Sequence, residues 1–139
     1  MTDQRSARAV QIERPLSPHL QIYRPPITMV MSIVHRITGA ALFFGTLILV
    51  WWLTAAATSE HYYTFVREIL GSLPGRIVLV GYTWALMHHM LGGLRHFVWD
   101  TGNGFDLKTV DKLAWGTLAL SVALTAAIWW HQLLTSVGV

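Results

Sequence analysis

An all-α membrane protein with three transmembrane helices is expected from three observations. Of the 139 residues, 53% are hydrophobic. Charged residues make up only 12%, against roughly a quarter in soluble domains. The charges are also missing from three long stretches, 37–59, 77–94 and 113–139, each reaching about the 18 residues that mark a spanning helix. A segment in hydrocarbon must satisfy its own backbone hydrogen bonds, so each stretch is expected to be α-helical. The same composition excludes a disordered chain, which needs low hydrophobicity and high charge. It also argues against a soluble globule. With no Cys, disulfides, thiolate metal sites and a Cys nucleophile are excluded. The length suits one domain.

The spans are expected at about 27–56, 74–99 and 109–135. They would form a three-helix anchor domain over 27–139, preceded by a cytoplasmic N-terminal segment over 1–26. Pro25 and Pro26 stop any helix upstream of the first span. Ser72 and Pro74 mark the start of the second. Gly102, Asn103 and Gly104 form a turn before the third. Trp51, Trp52, Trp99, Trp115, Trp129 and Trp130 lie near span ends, where aromatic belts form, although any one of them would equally suit core packing. Residues 1–13 are expected to be mobile. No cleavable signal peptide is expected, because the first apolar run starts late, follows two prolines and is too long.

The net charge of +3 and pI near 9.7 would suit a nucleic-acid partner, but the placement of the charges does not. Arg5, Arg8, Arg14 and Arg24 precede the first span, and Lys108 and Lys112 follow the second. Between the first two spans only Arg67 and Arg76 occur, and the C-terminus has no basic residue. The positive-inside rule puts the N-terminus and the 100–112 loop in the cytoplasm. A multi-pass protein of the lipid bilayer follows, with no nucleic acid. The plain N-terminus fits a bacterial inner membrane.

Ionisable side chains inside spans are costly and mark function by default. On the first span Thr28, Ser32, Arg36, Gly39 and Phe43 share one face, with His35 beside it. Arg36 sits about two turns in, so its side chain could simply snorkel to the headgroups. Alternatively, Ser32 and Arg36 form a polar pocket for a quinone carbonyl or a propionate, because Arg can only donate and Ser can do either. On the second span Gly81, Ala85, His89, Gly92 and His96 cluster within about a quarter of the circumference. Small residues admit a neighbouring helix, or leave room for a flat macrocycle beside an imidazole, a standard axial ligand of b-type haem. His89 is the ligand candidate, against the plainer alternative of a hydrogen-bonded core His. His88 points away by about 100°. His96 lies about 10 Å further along the axis, so it cannot complete the same haem. The second ligand would be His35 or a residue of another chain, His131 being close to the opposite surface.

At this point the residues are recognisable. Arg14-Pro-Leu-Ser-Pro-His, Tyr23-Arg-Pro-Pro-Ile-Thr28 and Ser32-Ile-Val-His-Arg-Ile-Thr-Gly39 resemble the succinate dehydrogenase cytochrome b large membrane-anchor subunits, as does His89-Met-Leu-Gly-Gly-Leu-Arg-His96-Phe-Val-Trp-Asp100. Both signatures stand in order on the first two spans, and together they cover residues 14 to 102. The resemblance implies a heteromeric helical bundle. In it this chain and a small membrane-anchor subunit attach a flavoprotein subunit and an iron–sulfur subunit, in a complex that oxidises succinate and reduces quinone. It further implies that Ser32 and Arg36 line the quinone site and that His89 ligates a haem b shared with a His of the small anchor subunit. His35 and Arg36 would lie near the haem propionates. His96 is counted with them as cofactor-binding, and Asp100 as a proton-path residue. Dicarboxylate chemistry would lie on the partners. Three rivals compete: a subunit of another b-type cytochrome, a small transporter subunit with Arg36 and Asp100 as a charge relay, and a purely structural anchor.

Overall fold

The computed structural model describes residues 15–137, and their side chains as far as 132. The expected mobility of 1–13, and Arg5, Arg8 and Arg14, lie outside the described residues. Five helices follow one another, with no strand among the described residues: α1 Pro18–Ile22, α2 Ile27–Thr58, α3 Glu60–Gly71, α4 Leu73–Asp100 and α5 Leu107–Val137.

Pro25 and Pro26 separate α1 from α2, and the Pro26 carbonyl accepts the amides of Met29 and Val30 to start the long helix. At 32 residues, α2 is about 48 Å long, longer than the roughly 30 Å hydrocarbon core. α4 and α5, of 28 and 31 residues, are comparable. All three are long and apolar enough to cross a membrane.

α1 and α3 were not expected. The segment between the first two spans is a 12-residue helix rather than a loop. Ser59 caps it by accepting the Tyr62 amide at 3.2 Å, and Glu60 favours its positive N-terminus. Val66 is buried, and the Trp51 indole N–H donates to the Tyr62 hydroxyl at 2.8 Å, tying α3 to α2. Ser72 then caps α4 through the Gly75 amide, 3.3 Å. This corner admits only glycine at 75, where a Cβ would overlap the Ile69 carbonyl. Gly102 and Gly104, both at φ 78°, make the turn into α5, where Asp106 accepts the Thr109 amide at 2.9 Å.

α4 is the central helix and packs against both α2 and α5. Its contacts use small residues. Ala55, Ala85 and Ala114 are buried, and a Cβ on Gly45 would overlap the Tyr82 ring. Lipid tails supply no hydrophobic drive between helices, so close backbone approach carries the packing. The hydroxyls of Thr117 and Thr125 return to carbonyls one turn back at 2.7 and 2.8 Å, so burial strands neither. Of each span's most apolar stretch only 11%, 17% and 22% is buried within the chain. The rest is half-buried or exposed, and large apolar side chains such as Phe43, Leu47 and Leu94 face outward.

Candidate functional site: a histidine cluster at the α2–α4 crossing

Where α2 crosses α4, each helix offers a glycine to the other's histidine. A Cβ at Gly92 would overlap the His35 ring, and one at Gly39 would come within 2.9 Å of His89 Cε1. The two imidazoles lie face to face between them, 4.0 Å apart and 4° from parallel. His96 approaches His35 at 5.4 Å, tilted by 50°. The α2–α4 crossing thus brings three of the sequence candidates, His35, His89 and His96, into one cluster.

The hydrogen bonds decide the tautomer of His89. Its Nδ1 is 3.1 Å from the His35 carbonyl oxygen. A carbonyl can only accept, so Nδ1 carries the proton. Thr38 supports the contact: its hydroxyl donates to the same carbonyl at 2.9 Å and lies 3.4 Å from Nδ1. The neutral ring therefore presents Nε2 as a lone pair. Nε2 has no hydrogen-bond partner among the described residues and is not one of the fully enclosed, unpartnered atoms, so it opens at the surface of the three-helix unit. A ring nitrogen held by a carbonyl while the other stays free is the usual arrangement of a metal-ligating His. The donor set therefore fits an axial haem ligand at His89.

The His35 ring presents its face, not a ring nitrogen, to His89. The room expected beside Gly92 is filled by the His35 ring itself; only Gly81 and Gly93 meet open space on α4.

Ser32 and Arg36 stand one turn apart on α2, both exposed and without a hydrogen bond among the described residues. Asp100 is the exposed last residue of α4. The chain does not bring these three into the histidine cluster; they lie on outward surfaces.

Thr38 escaped the sequence argument, although a hydroxyl three residues after His35 sits over that residue's own turn. A second polar site lies in the α4–α5 seam. His88 is only 1% exposed, and its Nδ1 is 3.4 Å from the hydroxyl of Ser121 on α5. His88 and His89 thus face opposite neighbours, as the 100° step between adjacent helical residues requires. Two turns on, Arg95 is 6% exposed and holds its guanidinium 5.0 Å from the Trp99 ring centre, a cation–π contact strengthened by the absence of water.

A family model described as succinate dehydrogenase/fumarate reductase transmembrane subunit matches residues 11–128. The chain is 44% identical over 111 residues to a succinate dehydrogenase cytochrome b556 subunit of Paracoccus denitrificans, covering 80% of this chain and 85% of the relative. It is 40% identical over 117 residues to the subunit of the same description from Rickettsia typhi, covering 84% and 91%. A succinate dehydrogenase cytochrome b560 subunit of Marchantia polymorpha is 40% identical over 108 residues, covering 73% and 77%.

Proposed function

We propose that this chain, which belongs to the succinate dehydrogenase/fumarate reductase transmembrane subunit family, anchors the complex in the membrane and holds one side of a haem b site and one side of a quinone site. The observation that carries the haem assignment is the 3.1 Å contact of His89 Nδ1 with the His35 carbonyl. With Nδ1 bonded to the His35 carbonyl, Nε2 would hold the haem iron from this chain, and a His of the small membrane-anchor subunit would hold it from the other. Haem b, when bound, supplies a one-electron relay. Thr38 and the His35 carbonyl hold the ligand ring in place. His35, Arg36 and His96 would be the further residues of this chain beside the haem, with the exposed Arg36 suited to an anionic propionate.

The quinone side rests on Ser32 and Arg36. Electrons come from the iron–sulfur subunit, and succinate is oxidised on the flavoprotein subunit. Reduction of a quinone to a quinol takes two electrons and two protons. The Ser32 hydroxyl donates to a quinone carbonyl, and Arg36 stabilises the negative charge that develops on the ring oxygen, a preorganised electrostatic role. Asp100, at the end of α4, lies on the proton path. The positive-inside distribution supports a cytoplasmic N-terminus in a bacterial inner membrane, which puts Ser32 and Arg36 on the side of the soluble partners.

The test uses the native complex. His89→Leu is expected to lose or displace the b-type band in the reduced-minus-oxidised spectrum. Ser32→Ala is expected to keep that band and lose quinone reduction. Wild-type spectra and rates in both variants would overturn the assignments. Copurification without a flavoprotein and an iron–sulfur protein would favour another b-type cytochrome.

A further inference from the structure

At the other end of the bundle from the histidines, α2, α3, α4 and α5 surround a cavity of about 830 Å³. Its α2 wall begins at Gly45, ten residues beyond His35, or about 15 Å along the axis. The walls are apolar, with Ile48 and Leu49 from α2, Leu70 from α3 and Val80 from α4. Two cations, Arg67 on α3 and Arg76 on α4, share this lining. Arg76 is oriented by the end of α3, because its Nε donates to the Gly71 carbonyl at 2.8 Å. That leaves its two terminal amino groups available. Neither guanidinium has a carboxylate partner among the described residues. Both are exposed.

An apolar cavity lined by two guanidiniums without a carboxylate partner among the described residues is the complement of an amphiphile with an anionic head. We propose that this cavity binds an anionic phospholipid, with an acyl chain along the Ile48, Leu49 and Val80 wall and the phosphate held by Arg67 and Arg76. Guanidinium and phosphate suit one another in charge and in bidentate geometry. The site is independent of the haem and quinone assignments. It gives α3, the one helix of its length that does not span, a reason to lie where it does: it supplies Arg67 and the Leu70 wall.

The experiment uses the assembled complex, stripped of lipid in detergent and then exposed to an equimolar mixture of dioleoylphosphatidylglycerol and dioleoylphosphatidylcholine. Native mass spectrometry counts the lipids retained. The wild type is expected to prefer phosphatidylglycerol. Arg67→Gln and Arg76→Gln are each expected to lower that preference about fivefold, the effect of one basic side chain near an anionic lipid. Gly71→Leu separates volume from charge. A Cβ there meets nothing within 4 Å, and Gly71 lines the cavity, so the added side chain should lower retention of both lipids alike. Thermal midpoints of the stripped variants matching that of the stripped wild type establish that they are folded. Equal retention of the two lipids by the wild type would overturn the proposal. So would an undiminished preference in the Arg67→Gln, Arg76→Gln double variant. A wild-type complex that retains no lipid would also overturn it.

Discussion

Replacing Gly92 by Ala tests the α2–α4 crossing directly. The new Cβ would overlap Nδ1 of His35 and lie 2.9 Å from its Cε1. The ring has little room to retreat, because Nδ1 is enclosed and one face is stacked 4.0 Å from His89. The helices must therefore move apart or the imidazole must leave its rotamer. Overpacking of this kind costs about 1–3 kcal/mol, while alanine's better helix propensity offsets at most about 1 kcal/mol. Gly81→Ala is the matched control. It lies on the same helix, and its Cβ meets nothing within 4 Å, so only the propensity gain applies. The difference between the two variants isolates the clash. It should be about 1–3 kcal/mol, or roughly 5- to 150-fold in the unfolding constant. Pulse proteolysis across an SDS titration of the assembled complex reads it from this chain's own band. If Gly92→Ala resists SDS as well as Gly81→Ala, the close approach of His35 to α4 is wrong.

Three further outcomes are expected. In the α4–α5 seam, Ser121→Ala should cost only about 0.6 kcal/mol, the usual size of one interhelical hydrogen bond in a membrane. His88→Ala, which empties a filled site, should cost about 2–4 kcal/mol; equal costs in the same proteolysis assay would contradict the burial of His88. Tyr62→Phe removes the acceptor of the Trp51 indole and should weaken the attachment of α3 by about 0.5–1.5 kcal/mol. Hydrogen exchange should therefore accelerate over 60–71 and not over 77–94. At the turn into α5, the hydroxyl and amide of Thr109 hold the Asp106 carboxyl below its ordinary value of 3.8. A depressed folded value means that the cap stabilises α5 above pH 3.8 and is lost as the pH falls through the lower folded value. Asp106→Asn keeps a capping side chain and should flatten that acid limb in a thermal-midpoint profile. An unchanged limb would remove Asp106 from its cause.

The outward placement of Ser32, Arg36 and Asp100 follows from how little of each span the chain covers. Three long helices bury Ala85, Gly92 and His88 between them and leave whole faces of α2 open. A site that uses Ser32 and Arg36 needs a second surface from outside this chain. His89 shows the same incompleteness: the chain orients the ring through Nδ1 and gives Nε2 no partner among the described residues.

The sequence by itself determined the number and type of the spans, because charge is too costly in hydrocarbon to fall there by accident. It also singled out the residues of interest, since a His or Arg inside a span is conspicuous. What it could not decide was what each of them faces. Helical periodicity gives the direction of a side chain around its own axis but not the neighbour on that side. His88 and His89 are adjacent and chemically identical. Only the packing of α5 against one side of α4 and α2 against the other separates a core histidine bonded to Ser121 from one whose Nε2 is open. The groove expected at Gly92 became a seat for His35 for the same reason. α3 was missed because twelve residues with mixed polarity carry no membrane signal; a Ser59 cap and a buried Val66 make it a helix only when α2 is there to receive it. In a bilayer no hydrophobic force selects which faces meet, so that choice falls to close approach, glycine by glycine.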